Sequence, residues 1–265
     1  MHTNPCDTSG KVTLVTGGNS GIGLGFARGA AKAGSDIVIW GRRAESNQAA
    51  ARELEEFGVR VHTDTVDVSS ESAVTAGMQK AVDVMGRVDC IFANAGFATP
   101  VKSFRDLSDE QFRGLLDTNL HGAFYTLREG ARYMAQRAES GDAGGSLVIC
   151  GSSSILQGSP SMPHYAAAKG ALAAMMKTIA LDMGKFGVRA NMIIPGFIVT
   201  GMTTGNDKVD SDLAEQLETR MANAAPLGRV GYPEDFEGIG AYLSSDASSF
   251  QTGTLLIIDG GRAVA

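Results

Sequence analysis

The sequence predicts an α/β fold, in which a doubly wound parallel sheet of about seven strands carries helices on both faces. Two patterns indicate this fold. Short β-branched, apolar runs alternate along the chain with longer helical segments. The first run leads into a glycine-rich turn and then a helix, an order typical of a doubly wound sheet. No linker, repeat or low-complexity tract interrupts the pattern, so we expect one domain over residues 1–265.

Composition narrows the class of protein. The 265 residues are 43% apolar and 20% charged, as in globular proteins. A net charge of −6 argues against nucleic-acid binding, which needs a concentrated basic patch. The three cysteines form no C-x-x-C pair, which favours a reducing compartment. With no signal pattern and no run near the ~18 apolar residues of a membrane span, we expect a cytoplasmic protein without nucleic-acid or membrane partners.

The first strand, Lys11–Thr16, is followed by glycines at 17, 21 and 23 and by a helical segment, Leu24–Gly34. Glycines let the backbone approach a phosphate, and the helix N-terminus attracts an anion. A glycine-rich turn can also be merely tight. Its place after the first strand favours a dinucleotide site.

The second strand, Asp36–Trp40, ends in Gly41, Arg42 and Arg43. A carboxylate at this point favours NAD, whereas arginine accommodates the 2′-phosphate of NADP. The sequence therefore predicts NADP. The competing interpretation is two solvated arginines at a helix start, since Ser20 in the glycine turn adds no basic residue.

Two further strands end in polar residues that have more than one interpretation. After a helix over Ala44–Phe57, the strand Val59–Val66 precedes Asp67, which could bind an adenine amino group or serve as a turn acid. Ser69 is the expected N-cap of the next helix, near Glu71. The strand Val88–Ala93 precedes Asn94, Ala95 and Gly96, which suit close approach of a cofactor ribose or tie neighbouring strands together.

A long helix over Leu107–Ala138 contains Asp117, Thr118 and Asn119, which are poor helix formers. We expect a local bulge there, because such bulges free a carbonyl group and are frequent at functional sites. A kink without chemistry is the alternative.

Tyr165 and Lys169 lie four residues apart in a helical segment that ends near Gly184, so they share one helix face. An ammonium near a phenol favours the phenolate and predicts a lowered tyrosine pKa. Ser152 ends the strand that begins at Ser146, and strand ends beside helix starts carry the chemistry of α/β proteins. A tyrosine and a lysine at this spacing are common in proteins, so the pair alone does not indicate a catalytic site. The other motifs of the chain favour that interpretation.

The remaining chain completes the predicted sheet. A strand over Gly187–Ile194 stops at Pro195 and Gly196, and the last helix and strand are Pro233–Leu243 and Leu255–Asp259. Between them, residues 197–225 are polar and irregular, with a short helix expected from Asp212. Long loops in compact domains are often lids, so we expect a substrate loop at about 196–225.

With these residues in view, the chain resembles the short-chain dehydrogenase/reductase family, in its classical type, from Gly10 to Gly261. The motifs that carry the resemblance are Thr16-Gly17-x3-Gly21-x-Gly23, Asp67, Asn94-Ala95-Gly96, Asn119, Ser152, Tyr165-x3-Lys169, Pro195-Gly196, Pro226–Asp235, Thr252-Gly253 and Asp259–Gly261. Each motif is weak alone, but their order and spacing together are specific. Two positions depart from the family pattern, Ala93 in place of asparagine and Ala168 in place of serine, and neither removes a reacting group.

The resemblance implies a Rossmann-type fold and an oxidoreductase that transfers a hydride between NADP(H) and a secondary alcohol or ketone. It assigns Tyr165 as general acid/base, Ser152 as the group that orients the substrate oxygen, and Lys169 as the group that lowers the tyrosine pKa and holds the nicotinamide ribose. Asn119 keeps the helix bent and holds a water. No metal is expected. The implied cofactor contacts are Gly17, Asn19, Ser20, Gly21, Ile22, Gly23, Arg42, Arg43, Asp67, Val68, Asn94, Ala95, Gly96, Tyr165, Lys169, Pro195, Gly196, Ile198 and Thr200.

The substrate is less well defined by the sequence. The candidate pocket residues are mainly apolar, which favours a neutral carbonyl or alcohol compound: Phe97, Ser154, Leu156, Met162, His164, Phe197 and Met202. A 3-oxoacyl-carrier-protein-type reductase and an NAD-dependent sugar or alcohol dehydrogenase are the rival functions. A cofactor-binding regulator without catalysis is disfavoured because all four catalytic residues are present, and a sugar-nucleotide epimerase would need a larger C-terminal domain. The resemblance also implies a homotetramer, or a homodimer, that pairs the Leu107–Ala138 and Tyr165–Gly184 helices.

Overall fold

A computed structural model describes residues 4–204 and 211–265. It contains a seven-stranded sheet in the order β3-β2-β1-β4-β5-β6-β7, and every neighbouring pair is parallel. The strands are β1 (Val12–Thr16), β2 (Asp36–Gly41), β3 (Val61–Thr65), β4 (Cys90–Ala93), β5 (Gly145–Cys150), β6 (Val188–Pro195) and β7 (Leu255–Ile258). The predicted doubly wound parallel sheet is confirmed.

The helices alternate with the strands and cover both faces of the sheet. They are α1 (Gly21–Lys32), α2 (Ala44–Glu55), α3 (Glu71–Met85), α4 (Asp109–Leu116), α5 (Ala123–Glu139), α6 (Ser154–Gln157), α7 (Pro163–Met183), α8 (Gly201–Thr204), α9 (Ser211–Asn223) and α10 (Glu237–Ser244). Within residues 4–204 and 211–265, no helix combines the length and apolar character needed to cross a membrane.

Successive strand residues alternate between two hydrophobic cores, one on each face of the sheet. Leu14 and Ile91 point into the core shared with α3, α5 and α7. Their neighbours Val15 and Phe92 point into the core shared with α1, α2 and α10. All four side chains are fully buried, and burial of one such side chain stabilises a protein by roughly 1.5–3 kcal/mol. Because both faces are covered, most strands are largely apolar instead of alternating with polar residues, whereas β3 at the sheet edge is polar.

Local structure differs from the sequence prediction at several points. The third strand is shorter than predicted, and Ser70, not Ser69, caps α3 by accepting a hydrogen bond from the Ala73 amide. The long helix is broken by a π-helical turn at Asp117–Gly122, where the bulge was expected. The segment predicted to be irregular contains α8, and the short helix expected from Asp212 is present there as α9. Residues 205–210 of the expected substrate loop lie outside the described residues.

Helices α1 and α10 pack against each other through glycines. A β-carbon at Gly29 would lie closer than 3.0 Å to the backbone of Glu237, a separation that real β-carbons do not reach. On the partner helix, a β-carbon at Gly240 would lie 2.7 Å from the carbonyl oxygen of Phe26. The two backbones therefore meet directly, which fixes the axis of α1 relative to the C-terminal part of the chain.

A buried ion cluster fixes the opposite end of the sheet. Asp89 is 7% exposed and lies just before β4. Its carboxylate accepts hydrogen bonds from Arg87 and Arg137, each at 2.7 Å, and from the Val12 amide at 2.9 Å. Burial alone would raise the pKa of Asp89, but these donors outweigh it and lower the pKa.

Candidate active site

The site lies where the sheet order reverses, at the carboxyl ends of β1 and β4. The Thr16 hydroxyl accepts hydrogen bonds from the backbone amides of Asn94 and Ala95, both at 2.9 Å. The Asn94 side chain donates in return to the carbonyl oxygens of Thr16, at 3.0 Å, and Gly17, at 3.3 Å. The Asn94 segment therefore does tie neighbouring strands together. Thr16 belongs to the sequence motif, but the sequence did not predict that its hydroxyl links β1 to the segment after β4, because that contact joins distant parts of the chain.

The glycine-rich turn after β1 has no room for side chains. Gly17 and Gly21 adopt φ angles of +64° and +55°, in the left-handed region that favours glycine. A β-carbon at Gly23 would overlap the Gly17 carbonyl oxygen and the Asn94 amide nitrogen. The turn thus presents bare backbone at the crevice, as a phosphate cradle requires.

The N-terminus of α1 is open to an anion. The helix begins at Gly21, and the Ser20 side chain forms no capping hydrogen bond with it. The first turn contains no acidic residue, so the positive end of the helix dipole is not neutralised. Thr200 approaches the turn from the far side, since a β-carbon at Gly21 would lie 3.2 Å from its methyl carbon. These features fit the pyrophosphate of a dinucleotide.

At the end of β2, Arg42 and Arg43 are exposed, and within the described chain neither guanidinium makes a hydrogen bond or ion pair. Asp67 takes part in a local turn, where its carboxylate accepts hydrogen bonds from the Ser69 amide and hydroxyl at 3.0 and 2.7 Å. These bonds, with a smaller contribution from Arg42, lower the pKa of Asp67. Asp67 therefore takes part in a local turn, and its carboxylate lies within the electrostatic reach of Arg42.

Tyr165, Lys169 and Ser152 lie together at the ends of β5 and α7. The Lys169 amine is buried and donates to the Cys150 carbonyl oxygen at 2.7 Å, with its nitrogen 5.6 Å from the centre of the Tyr165 ring. Ser152 lies two residues after β5, and its hydroxyl accepts a hydrogen bond from the Ser154 amide at 3.2 Å. The first turn of α7 begins with Pro163, a residue favoured at that position.

The predicted lowering of the Tyr165 pKa is wrong for this structure. Burial raises the pKa of the Tyr165 phenol, the nearby Cys150 thiol adds to the rise, and the Ser152 hydroxyl partly offsets it. Burial likewise lowers the pKa of Lys169. Sequence spacing alone could not reveal that the ammonium is bound to the Cys150 carbonyl and that both groups are largely withdrawn from water.

Asn119 is fully buried in the π-helical turn. Its side-chain amide donates to the Phe97 carbonyl oxygen at 2.7 Å, and its oxygen accepts from the Phe97 amide at 3.0 Å. The bulge therefore turns Asn119 towards the segment that follows β4. A β-carbon at Gly96 would lie 3.1 Å from the Asn119 oxygen, which accounts for a glycine there.

The other predicted cofactor residues occupy different surroundings. Val68 and Ile198 are buried, whereas Ile22 is only partly buried and packs against the α1 core. Pro195 ends β6, and the Gly196 amide donates to Ile258 at 2.9 Å in the neighbouring strand.

The predicted substrate residues divide into two groups. Leu156 and Met202 are 43% and 49% exposed. His164, in contrast, is fully buried and so does not line an open pocket. Burial lowers the pKa of the His164 ring, and a contact with the Thr99 backbone partly offsets this effect. The buried Ser154 hydroxyl oxygen forms no hydrogen bond with the described part of the chain.

Comparison with known proteins gives a consistent result. The family model described as enoyl-(acyl carrier protein) reductase matches residues 17–263. The chain is 34% identical to an L-rhamnose 1-dehydrogenase (NAD(P)(+)) of Sphingomonas sp. (strain SKA58), over 96% of this chain and 97% of the relative. It is 36% identical to a 3-oxoacyl-acyl-carrier-protein reductase of Chlamydia muridarum, over the same shares.

The fold is also shared with solved structures. The NADPH-dependent 3-quinuclidinone reductase of Rhodotorula rubra superposes with a TM-score of 0.85 at 31% identity, over 98% of this chain and 94% of that chain. The matched family and the relatives agree with the presence of the glycine turn and of the Ser152, Tyr165 and Lys169 group. The chain belongs to the short-chain dehydrogenase/reductase family, and it is an oxidoreductase that uses a nicotinamide cofactor to interconvert an alcohol and a carbonyl compound.

Proposed function

We propose that this chain is an NADP(H)-dependent reductase of a small, neutral ketone, which it converts reversibly to a secondary alcohol. The observation that carries the proposal is the buried Lys169 beside Tyr165 and Ser152, at the edge of a glycine cradle that fits a dinucleotide. When bound, the nicotinamide group supplies or accepts the hydride, and the residues of the chain bind, orient and exchange the proton.

Tyr165 is the proton donor. A phenol is protonated at neutral pH, and the raised pKa of Tyr165 keeps it so, which leaves its proton available to the carbonyl oxygen of a bound ketone. Ser152 donates a second hydrogen bond to that oxygen and orients it. Lys169, held by the Cys150 carbonyl, binds the ribose next to the nicotinamide and stabilises the phenolate left after proton transfer. Asn119 fixes the Phe97 segment that walls the site.

NADP is the preferred cofactor. Two exposed guanidinium groups, from Arg42 and Arg43, follow β2 at the point where an NAD-binding protein has a carboxylate. Charge-assisted hydrogen bonds from arginine to a phosphate are among the strongest in proteins. The remaining contacts come from the glycine turn, the Asn94 segment and the residues after β6 named above.

A hydroxylated substrate, such as a sugar or polyol, is the second candidate. The name of the L-rhamnose 1-dehydrogenase relative agrees with a hydroxylated substrate. The name of the 3-oxoacyl-acyl-carrier-protein reductase relative agrees with an acyl thioester instead.

Binding and turnover together test the function. NADPH and NADH are titrated into the purified protein by fluorescence, and a panel of cyclic ketones, free sugars and an acetoacetyl thioester is then screened with the tighter cofactor. We expect tighter binding of NADPH and reduction of a neutral ketone, with activity reduced roughly 10²–10⁴-fold in Tyr165→Phe at unchanged cofactor affinity. Tighter binding of NADH would refute the NADP assignment, and full activity in Tyr165→Phe would refute the acid/base role.

We further infer a single functional domain over residues 1–265 with a substrate loop at about 196–225, acting in the cytoplasm. The assembly is a homotetramer or homodimer that pairs the α4–α5 segment and α7 with their copies. Light scattering after size-exclusion chromatography tests the assembly, and a monomeric mass would overturn it.

A further inference from the structure

Asn47 is a fully buried polar residue in the first turn of α2, and no sequence pattern singles it out. The side chain is 1% exposed. Its amide nitrogen donates to the carbonyl oxygens of Gly41 and Asp64, both at 3.0 Å. Its oxygen accepts from the side-chain amide of Asn19 at 2.6 Å. Asn47 therefore connects the end of β2, the end of β3 and the glycine-rich turn, and both of its N–H donors are used.

The Asn19–Asn47 pair explains why residue 41 is glycine. The φ angle of Gly41 lies outside the left-handed region, so its backbone conformation suits any residue. A β-carbon at this position would overlap the Asn47 oxygen and the Asn19 nitrogen, and would lie 3.1 Å from the Asn19 side-chain carbon. Space, and not backbone conformation, excludes a side chain here.

Position 41 is also where cofactor choice is made in this type of fold. A carboxylate at the end of the second strand binds the ribose hydroxyls of NAD and repels the 2′-phosphate of NADP. The Asn19–Asn47 pair occupies the volume that such a carboxylate would need. Arg42, the next residue, is exposed and free to meet a phosphate.

We propose that Asn47 is a specificity-determining positioning residue of the cofactor site: it holds Asn19 over Gly41 and so excludes the carboxylate that would select NAD. One N–H of the Asn19 amide is used by Asn47. The amide group carries a second N–H, which Asn47 orients for the 2′-phosphate of NADP. This inference rests on the proposed preference for NADP.

The proposal predicts that residues 41 and 47 are not independent. Gly41→Asp alone forces the carboxylate into the asparagine pair, so its melting temperature falls and it binds both cofactors weakly. Asn47→Ser shortens the side chain and releases Asn19. Its hydroxyl keeps one donor for the carbonyl groups of Gly41 and Asp64, which Asn47 no longer pairs. In the double variant Gly41→Asp/Asn47→Ser the carboxylate has room, so the melting temperature rises above that of Gly41→Asp and NADH binds more tightly than NADPH.

The test measures dissociation constants for NADPH and NADH and the melting temperature of each variant without cofactor. Asn47→Ser alone should lower the NADPH-to-NADH affinity ratio by roughly tenfold, the effect of about one hydrogen bond to a charged group. Gln48→Ala, an exposed residue of the same helix, is the matched control and should change neither quantity.

Two results would overturn the proposal. One is a Gly41→Asp chain that keeps the wild-type melting temperature and gains NADH preference as fully as the double variant. The other is a double variant that remains as unstable as Gly41→Asp. The melting temperatures need no cofactor, so they decide the steric argument even if the wild type fails to prefer NADPH. Such a failure would show in the wild-type titration and would overturn the NADP assignment itself.

Discussion

Gly23→Ala is expected to damage the cofactor cradle without touching a reacting group. The added methyl would overlap the Gly17 carbonyl oxygen and the Asn94 amide nitrogen, so the two must separate. Separation breaks the hydrogen bonds from Asn94 to Gly17 and Thr16, which are 3.3 and 3.0 Å long. Each such bond contributes about 1 kcal/mol, and overpacking adds roughly 1–3 kcal/mol. The expected destabilisation is therefore about 3–5 kcal/mol.

Two measurements check this magnitude. In a chain of this size 1 kcal/mol shifts the melting temperature by about 2–4 °C, so the variant should melt roughly 6–20 °C below the wild type. Loss of the backbone approach should weaken dinucleotide binding by at least about tenfold, as 1.4 kcal/mol corresponds to a factor of ten. Fluorescence titration and thermal unfolding measure the two effects separately.

Gly238→Ala is the matched control for this prediction. Gly238 is an exposed glycine of α10, and a β-carbon there would meet no atom within 4 Å. Alanine is favoured over glycine in a helix by about 0.5–1 kcal/mol, so this variant should equal or exceed the wild type in stability. If Gly23→Ala melted and bound cofactor like Gly238→Ala, the steric reasoning about the cradle would be wrong.

Three further predictions concern titration and burial. Asp89 has a lowered pKa, so its contribution to stability is present above about pH 4 and is lost as the pH falls through the folded-state pKa. Asp89→Asn should therefore lower the free energy of unfolding, measured in urea at neutral pH, by about 3–5 kcal/mol. The control Glu45→Gln should change this free energy by almost nothing. The raised pKa of Tyr165 means that its contribution to stability is complete below about pH 10 and declines as the pH rises through the folded-state pKa. In an ultraviolet absorbance titration without cofactor, Tyr165→Phe should remove a tyrosine ionisation above that pH. Loss of a tyrosine ionisation at a lower pH would contradict the burial argument. Burial lowers the pKa of His164, so the folded state loses stability as the pH falls below the ordinary histidine value of 6.5. His164→Leu should remove this part of the pH dependence of urea unfolding, and an unchanged pH dependence would contradict the burial argument.

Sequence patterns predicted the elements whose causes are local. The apolar run of β1, the positive-φ glycines after it and the poor helix formers at Asp117–Gly122 each carry their own signal, and the strands, the turn and the π-helical bulge follow. The third strand is an instructive exception. Its middle residues are His62, Thr63 and Asp64, which pair with β2 but are too polar to mark the strand limits.

Features that depend on tertiary contact could not be predicted in this way. The Thr16 hydroxyl bonds to amides about eighty residues away, and the partner of Lys169 is a backbone carbonyl, for which Cys150 leaves no mark in the sequence. Asn47 has the same character, since its three partners come from three separate segments. The raised pKa of Tyr165 also depends on burial, and spacing along a helix does not report burial.

The glycine contact between α1 and α10 has a consequence for biosynthesis. Gly29 leaves the ribosome long before Glu237, whose backbone it must touch. At about 5–20 residues per second, the interval is on the order of ten to forty seconds. Throughout that time the apolar face of α1 that α10 later covers is exposed on the nascent chain. The cofactor cradle at the start of α1 therefore gains this support only after residue 237 has been synthesised, and until then this face is open to chaperones.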